Sequence, residues 1–296
     1  MRWLRIVPVL ALVVAAGCAT AGPRELDPEA TLATVRPTAD NVLARWDRAA
    51  TSNEITVYQP LGAFRQVGDW EPALGDSKAA LLAGLVEAAG ALPAAPDRRD
   101  VRLHDGRTRP VRPLSAAETL DRAKRLAMRD APSACPTCSP LRVAGARLVS
   151  AALGTVGGRA TAPAWELRLE GSAVRLVAVA VPDSAVTELE AFGRPEGQNA
   201  GSWIERADPV DGPALAVVFP AAPYGADKPC GADYTGEAVE SARAVVVLLA
   251  TIRYYEKEGP DDCPAGVQQL TIPLRRPLGD RVVLQLFTGV PVEKMG

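Results

Sequence analysis

From Leu141 onward the chain alternates apolar and polar residues with a period of two, in runs too short for most helices. Trp165, Leu167 and Leu169 alternate with Glu166, Arg168 and Glu170. Gly171-Ser172 follows, and then "AVRLVAVAV". In a strand, successive side chains point to opposite faces, so each run presents one apolar face. The two runs predict a hairpin from about Ala164 to Val181, with Gly171-Ser172 as a two-residue type II′ turn.

The same period recurs elsewhere. Leu141 and Val143, then Ala146 and Leu148, alternate around Gly145. Leu215 to Phe219, Arg243 to Arg253 and Gln268 to Leu274 read as strands, and Arg243 to Arg253 is apolar enough to be central. Beyond the turn "PLGDR", Val282, Leu284 and Leu286 point one way. Nearer the start, Ile55 to Tyr58, Ala63 to Val67 and the region of Val101 and Leu103 read as short strands.

Three segments read as helices. Asn41 to Ala50 places Val42, Leu43 and Trp46 on one face. Asp76 or Ser77 can cap a helix to about Ala91, with Leu81, Leu82, Leu85, Val86 and Ala89 recurring at three and four residues. The clearest start is "SAAE", where Ser115 and Glu118 form a capping box. Glu118 with Arg122, and Asp121 with Arg125, are acidic-then-basic pairs on its exposed face. Strands, then helices, then strands, without a repeating βαβ rhythm, predict an α+β fold. It has antiparallel β-rich sheets and two or three helices in the N-terminal half.

The N-terminus reads as an export signal. Arg2 and Arg5 precede an uncharged run of eleven residues, Ile6 to Ala16, too short to span a bilayer and interrupted by Pro8. The stretch "AAGC", with Cys18 last, resembles the bacterial lipobox, although Ala15 stands where leucine is usual. That resemblance implies a diacylglyceryl group on the Cys18 thiol and a mature chain that begins there. Arginine outnumbers lysine 28 to 5 among the 33 basic residues. With "CPTCSPLRVAGARL", "APAWELRLEG" and "RPLGDRVV", this is similar to uncharacterised lipoproteins of high-GC actinobacteria. The resemblance carries no catalytic residues over.

The expected organisation follows. Residues 1–17 are a signal peptide. Residues 18–40, with Pro23, Pro28 and Pro37, are a lipidated tether that cannot offset its ordering entropy. Residues 41–182 form an α+β module, 183–212 a polar irregular linker, and 213–296 a β-rich module. An apolar content of 48% suits a chain with a real core, and a net charge of −2 gives no reason to expect nucleic acid as a partner.

Four cysteines remain after Cys18: Cys135, Cys138, Cys230 and Cys263. An even number in an exported chain implies two bridges. Of three possible pairings, Cys135 with Cys138 is favoured by closeness. Cys230 with Cys263 then joins loops beside prolines in the β-rich region. The "CPTC" spacing also fits a redox site, but Pro140 and an apparent strand follow it rather than a helix. The spacing of the second pair is a poor fit to a zinc ribbon, so no metal and no cofactor is expected.

His104 is the only histidine, and it reads as an exposed strand-end residue beside Asp105-Gly106. Without a G-x-S-x-G elbow, no catalytic residue is assigned. "GDS" at Gly75 to Ser77 resembles the opening of GDS-type esterases, but their C-terminal histidine is missing, so Asp76 and Ser77 read as helix caps. Trp203, in a polar stretch, is the candidate ligand-binding aromatic. The expectation is a non-enzymatic binding or structural module of the cell envelope. Its partners are the bilayer, through Cys18, and an envelope protein or small ligand. The alternatives are an envelope hydrolase with an unrecognised carboxylate or serine site, and a solute-binding lipoprotein.

Overall fold

The computed structural model describes residues 22–52, 54–58, 61–70, 76–130, 135, 137–189, 203–255 and 263–292. The chain begins with β1 (Arg24–Glu25) and α1 (Pro28–Thr51). Then come β2 (Thr56–Val57), β3 (Arg65–Val67), α2 (Ser77–Leu82) and β4 (Val86–Ala88). The hairpin of β5 (Arg99–Arg102) and β6 (Thr108–Val111) precedes α3 (Ala116–Asp130). The long hairpin of β7 (Leu141–Thr155) and β8 (Gly158–Leu169) follows, then β9 (Arg175–Val179) and β10 (Thr187–Glu188). The last third holds β11 (Arg206–Val210), β12 (Ala214–Ala221), β13 (Ala232–Glu240), β14 (Ala244–Tyr254), β15 (Gly266–Pro273) and β16 (Val282–Leu284). The fold is α+β, with mostly antiparallel sheets and three α-helices among the described residues.

These elements form two modules, divided differently from the expected boundaries. The outer module has three layers, in the order α1, a four-stranded sheet and a three-stranded sheet. The four-stranded sheet has β14 between β13 on one side and β1 and β16 on the other. Along β14, Ala244, Val246, Leu248 and Ala250 face α1, while Val245, Val247 and Leu249 face the sheet β11-β12-β15. Burial on both faces is why this strand reads as a continuous apolar run rather than an alternating one. The strand is central, as expected.

The tether expected over residues 18–40 is overturned from Arg24 onward, where β1 pairs with the end of β14 and α1 follows. Leu32, Val35, Ala39, Val42, Leu43 and Trp46 of α1 are buried and form one helical face. Asp27 caps the helix, its Oδ1 accepting from the Ala30 N–H at 3.0 Å. Pro28 sits at the first helical position, where a missing N–H costs nothing. Pro37 lies inside the helix on its exposed side, where water can reach the freed carbonyl. Arg36 grips Glu237 of β13 through Nε at 2.6 Å and Nη2 at 2.8 Å, which fixes α1 to the sheet.

Residues 54–189 form the inserted module, a nine-stranded mixed sheet carrying α2 and α3. Its spine is β7 paired with β8. The register shifts between Val143 and Gly145, and this bulge at Ala144 explains why the apolar phase changes there. Ala164 to Arg168 pair with Val179 to Arg175, so the hairpin expected from Ala164 to Val181 is present. Its connection runs from Glu170 to Val174 and is longer than the two-residue turn expected.

Three other expectations change. The helix expected to reach Ala91 ends at Leu82, because Gly84 (φ +69°) turns the chain and Val86–Ala88 pairs with β7. Arg122 turns inward rather than toward Glu118. It donates to Val181 O at 2.5 Å, to Val179 O and to Asp183 at 2.9 Å, satisfying carbonyls where β9 leaves the sheet. The linker expected over 183–212 holds β10, which pairs with β2, and β11, which pairs with β12. Its residues 190–202 lie outside the described residues.

Candidate functional site

The modules meet where several turns converge on the C-terminal part of α1. The tip of the β7–β8 hairpin, Val156-Gly157-Gly158, reaches the core of the outer module, where Val156 packs with Trp46. Tyr58 lies across this junction with its ring 6.0 Å from that of Trp46. Burial pushes the Tyr58 hydroxyl above its ordinary pKa.

A cleft of about 750 Å3 opens at this seam. Trp46, Ala50, Val156 and Leu278 give it apolar surface. His104 enters from the β5–β6 turn and Arg243 from the β13–β14 turn. The 276–282 loop supplies Arg276, Asp280 and Arg281.

His104 is placed by the glycines opposite it. Gly158 has φ +128°, and a Cβ there would lie 2.8 Å from His104 Cγ. A side chain at this turn would displace the imidazole. His104 is exposed, as expected, but it lines the cleft instead of ending in open solvent.

The 276–282 loop is fixed from below by a buried ion pair. Arg281 Nη1 donates to Glu240 Oε2 at 2.5 Å, and both side chains are about 5% exposed. Arg281 also donates to the carbonyls of Leu278, Arg276 and Pro277. Glu240 Oε1 accepts from the Arg275 N–H at 2.6 Å. Burial pushes the Glu240 carboxyl up, but the Arg275 N–H and the Arg281 guanidinium together outweigh it and hold the group below the ordinary carboxylate range. Arg276 Nη2 donates to the carbonyls of Ser241 and Ala242, which joins the loop to the β13–β14 turn.

Both expected bridges are present, with Cα separations of 5.4 Å for Cys135–Cys138 and 5.5 Å for Cys230–Cys263. The second ties the chain ahead of β13 to the segment entering β15, and Cys230 adopts the left-handed region (φ 62°). Cys138 lines a second cavity of about 420 Å3 with Trp70, Asp76 and Arg142. Asp76, Cys135 and Cys138 offer ligand atoms within 4.8 Å of one another. With both sulfurs spent in the bridge, only the Asp76 carboxylate remains as a metal ligand there. Asp76 stands at the N-cap position of α2, but its side chain makes no capping bond.

Trp203 is 54% exposed at the entrance to β11, and neither the seam cleft nor the Cys138 cavity includes it. Cys18 lies outside the described residues. The sequence reading missed the seam cleft. Its one visible sign was "TVGGRAT", where paired glycines mark a turn that lets another chain segment approach closely.

Comparison with protein-family models, with curated proteins and with solved structures finds no match in any of the three.

Proposed function

We propose that this chain is an extracytoplasmic lipoprotein anchored through Cys18, and that its folded part is a binding module with the seam cleft as its ligand site. The cleft carries the reading, because it is concave and mostly polar, with an apolar patch at Trp46, Val156 and Leu278 and charged groups held on fixed turns. Two bridged cysteine pairs fit an oxidising compartment. Among the described residues no helix is long and apolar enough to cross a membrane. The described lining around His104 offers no serine, cysteine or glutamate, and that favours binding over acyl transfer.

Two experiments test this. Fractionation with intact-mass analysis should find the wild-type chain in membranes with a diacylglyceryl mass on Cys18. Cys18→Ser should be released or left unprocessed. A wild-type mature form without that mass removes the anchor. For the cleft, a thermal-shift screen of small polar molecules should give stabilising hits that disappear in Gly158→Val, which pushes His104 into the cleft. Hits unaffected by Gly158→Val place binding elsewhere.

A further inference from the structure

We propose that the seam cleft takes a small ligand with an anionic head, a carboxylate or a phosphoryl group, held by Arg243 and Arg276. This rests on the reading of the cleft as a binding site. Three guanidinium groups line the cleft against one carboxylate, Asp280. Arg281 is largely spent, since Glu240 neutralises its charge and three carbonyls take three of its other four N–H groups.

Arg243 and Arg276 remain. The guanidinium of Arg243 makes no ion pair among the described residues, while its backbone is fixed. Its N–H donates to Ser241 Oγ, and its carbonyl accepts from Val282. Arg276 uses Nη2 on the carbonyls of Ser241 and Ala242, which turns its guanidinium toward the turn that carries Arg243. Among the described residues, Nε and Nη1 of Arg276 make no hydrogen bond. Two like charges on adjoining turns repel, and an anion bound by both converts that repulsion into charge-assisted hydrogen bonds. His104 adds a third polar group across the cleft, and Trp46, Val156 and Leu278 offer surface for a carbon body. The recognised chemistry is an acid with a compact apolar portion.

Calorimetric titration of the mature full chain with phenyl phosphate, benzoate and benzamide tests this. The first two probes separate a phosphoryl from a carboxylate head, and the amide removes the charge at nearly constant shape. The expected result is one saturable site for at least one of the acids, weakened by added salt, with benzamide at least about tenfold weaker. Arg243→Gln, at an exposed position, should weaken the acid about tenfold without lowering the melting temperature. Arg147→Gln, well back along β7 from the hairpin tip, where Arg147 pairs with Glu166, should change nothing. Equal binding of benzamide and benzoate would overturn the anionic preference and leave the cleft a binding site. No saturable acid binding, or binding indifferent to Arg243→Gln, would also overturn the inference. The thermal-shift screen with Gly158→Val judges the cleft separately.

Discussion

The inserted module and the outer module are both β-rich, yet the chain closes them over very different distances. The longest pairings of the inserted sheet join neighbours in sequence: β5 with β6, β7 with β8, and β8 with β9. The outer module joins the two ends of the described chain. Leu32 to Trp46 pack on Ala244 to Ala250, about two hundred residues later, and β1 pairs with the end of β14. Local pairing needs little loop closure, whereas the outer module must close over the entire insertion. The contrast teaches where the strongest fastenings should lie. The outer module holds the Arg281–Glu240 pair, the Arg36–Glu237 contact and the Cys230–Cys263 bridge.

The largest effect that could break this comparison is expected at the α1 interface. Trp46 is 2% exposed and belongs to the shared core. Trp46→Ala should cost about 3–5 kcal/mol in denaturant unfolding. A loss below about 1 kcal/mol would mean that α1 does not belong to the core. Arg281→Ala, which strands the Glu240 carboxylate, should cost a similar amount, about 3–5 kcal/mol.

How far the sequence could be read follows the same division. The capping box is present, with the Ser115 N–H 2.8 Å from Glu118 Oε2 and the Glu118 N–H 3.2 Å from Ser115 Oγ. It was legible because all its atoms lie within one turn. The β8–β9 hairpin was legible for the same reason. In α1 the apolar period of Leu32, Val35 and Ala39 was present in the sequence. Three prolines hid it, because nothing local says that Pro37 faces water while its neighbours meet β14. The cleft was hidden more completely, since His104, Arg243 and Arg276 come from three turns that only the tertiary fold brings together.

The two bridges sharpen the comparison at an intermediate scale. Removing Cys230–Cys263, which closes a span of 33 positions, should cost about 3–4 kcal/mol in the chain-entropy model. Removing Cys135–Cys138, with a separation of 3, should cost about 2 kcal/mol or less. Paired Cys→Ala variants in urea unfolding give both values. A reversed order would contradict the view that the outer module needs its long-range fastening more.

Smaller effects separate the modules further. Ser115→Ala should cost about 1 kcal/mol through loss of the α3 cap. Acid should loosen both modules, because Glu118 and Glu240 both have carboxyls held below their ordinary values. Hydrogen bonds from Ser115 hold Glu118 there, and the Arg275 and Arg281 contacts outweigh burial at Glu240. A depressed carboxyl contributes its stability fully above its unfolded value of about 4.3, and loses it as pH falls toward the folded value. Circular dichroism from pH 6 to pH 2 should therefore show stability declining below about pH 4.3. Glu240→Gln should be less stable at neutral pH, with a shallower acid limb. An unchanged acid limb in Glu240→Gln would remove that carboxyl from the account.

Hydrogen exchange over α1 tests most directly the claim that the chain ends fold together around the insertion. In the mature protein, mass-spectrometric exchange should show the amides of residues 32–50 protected to within about tenfold of those of β14. Exchange of residues 32–50 at the rate of an unstructured chain, with β14 protected, would make that segment a tether and contradict the account.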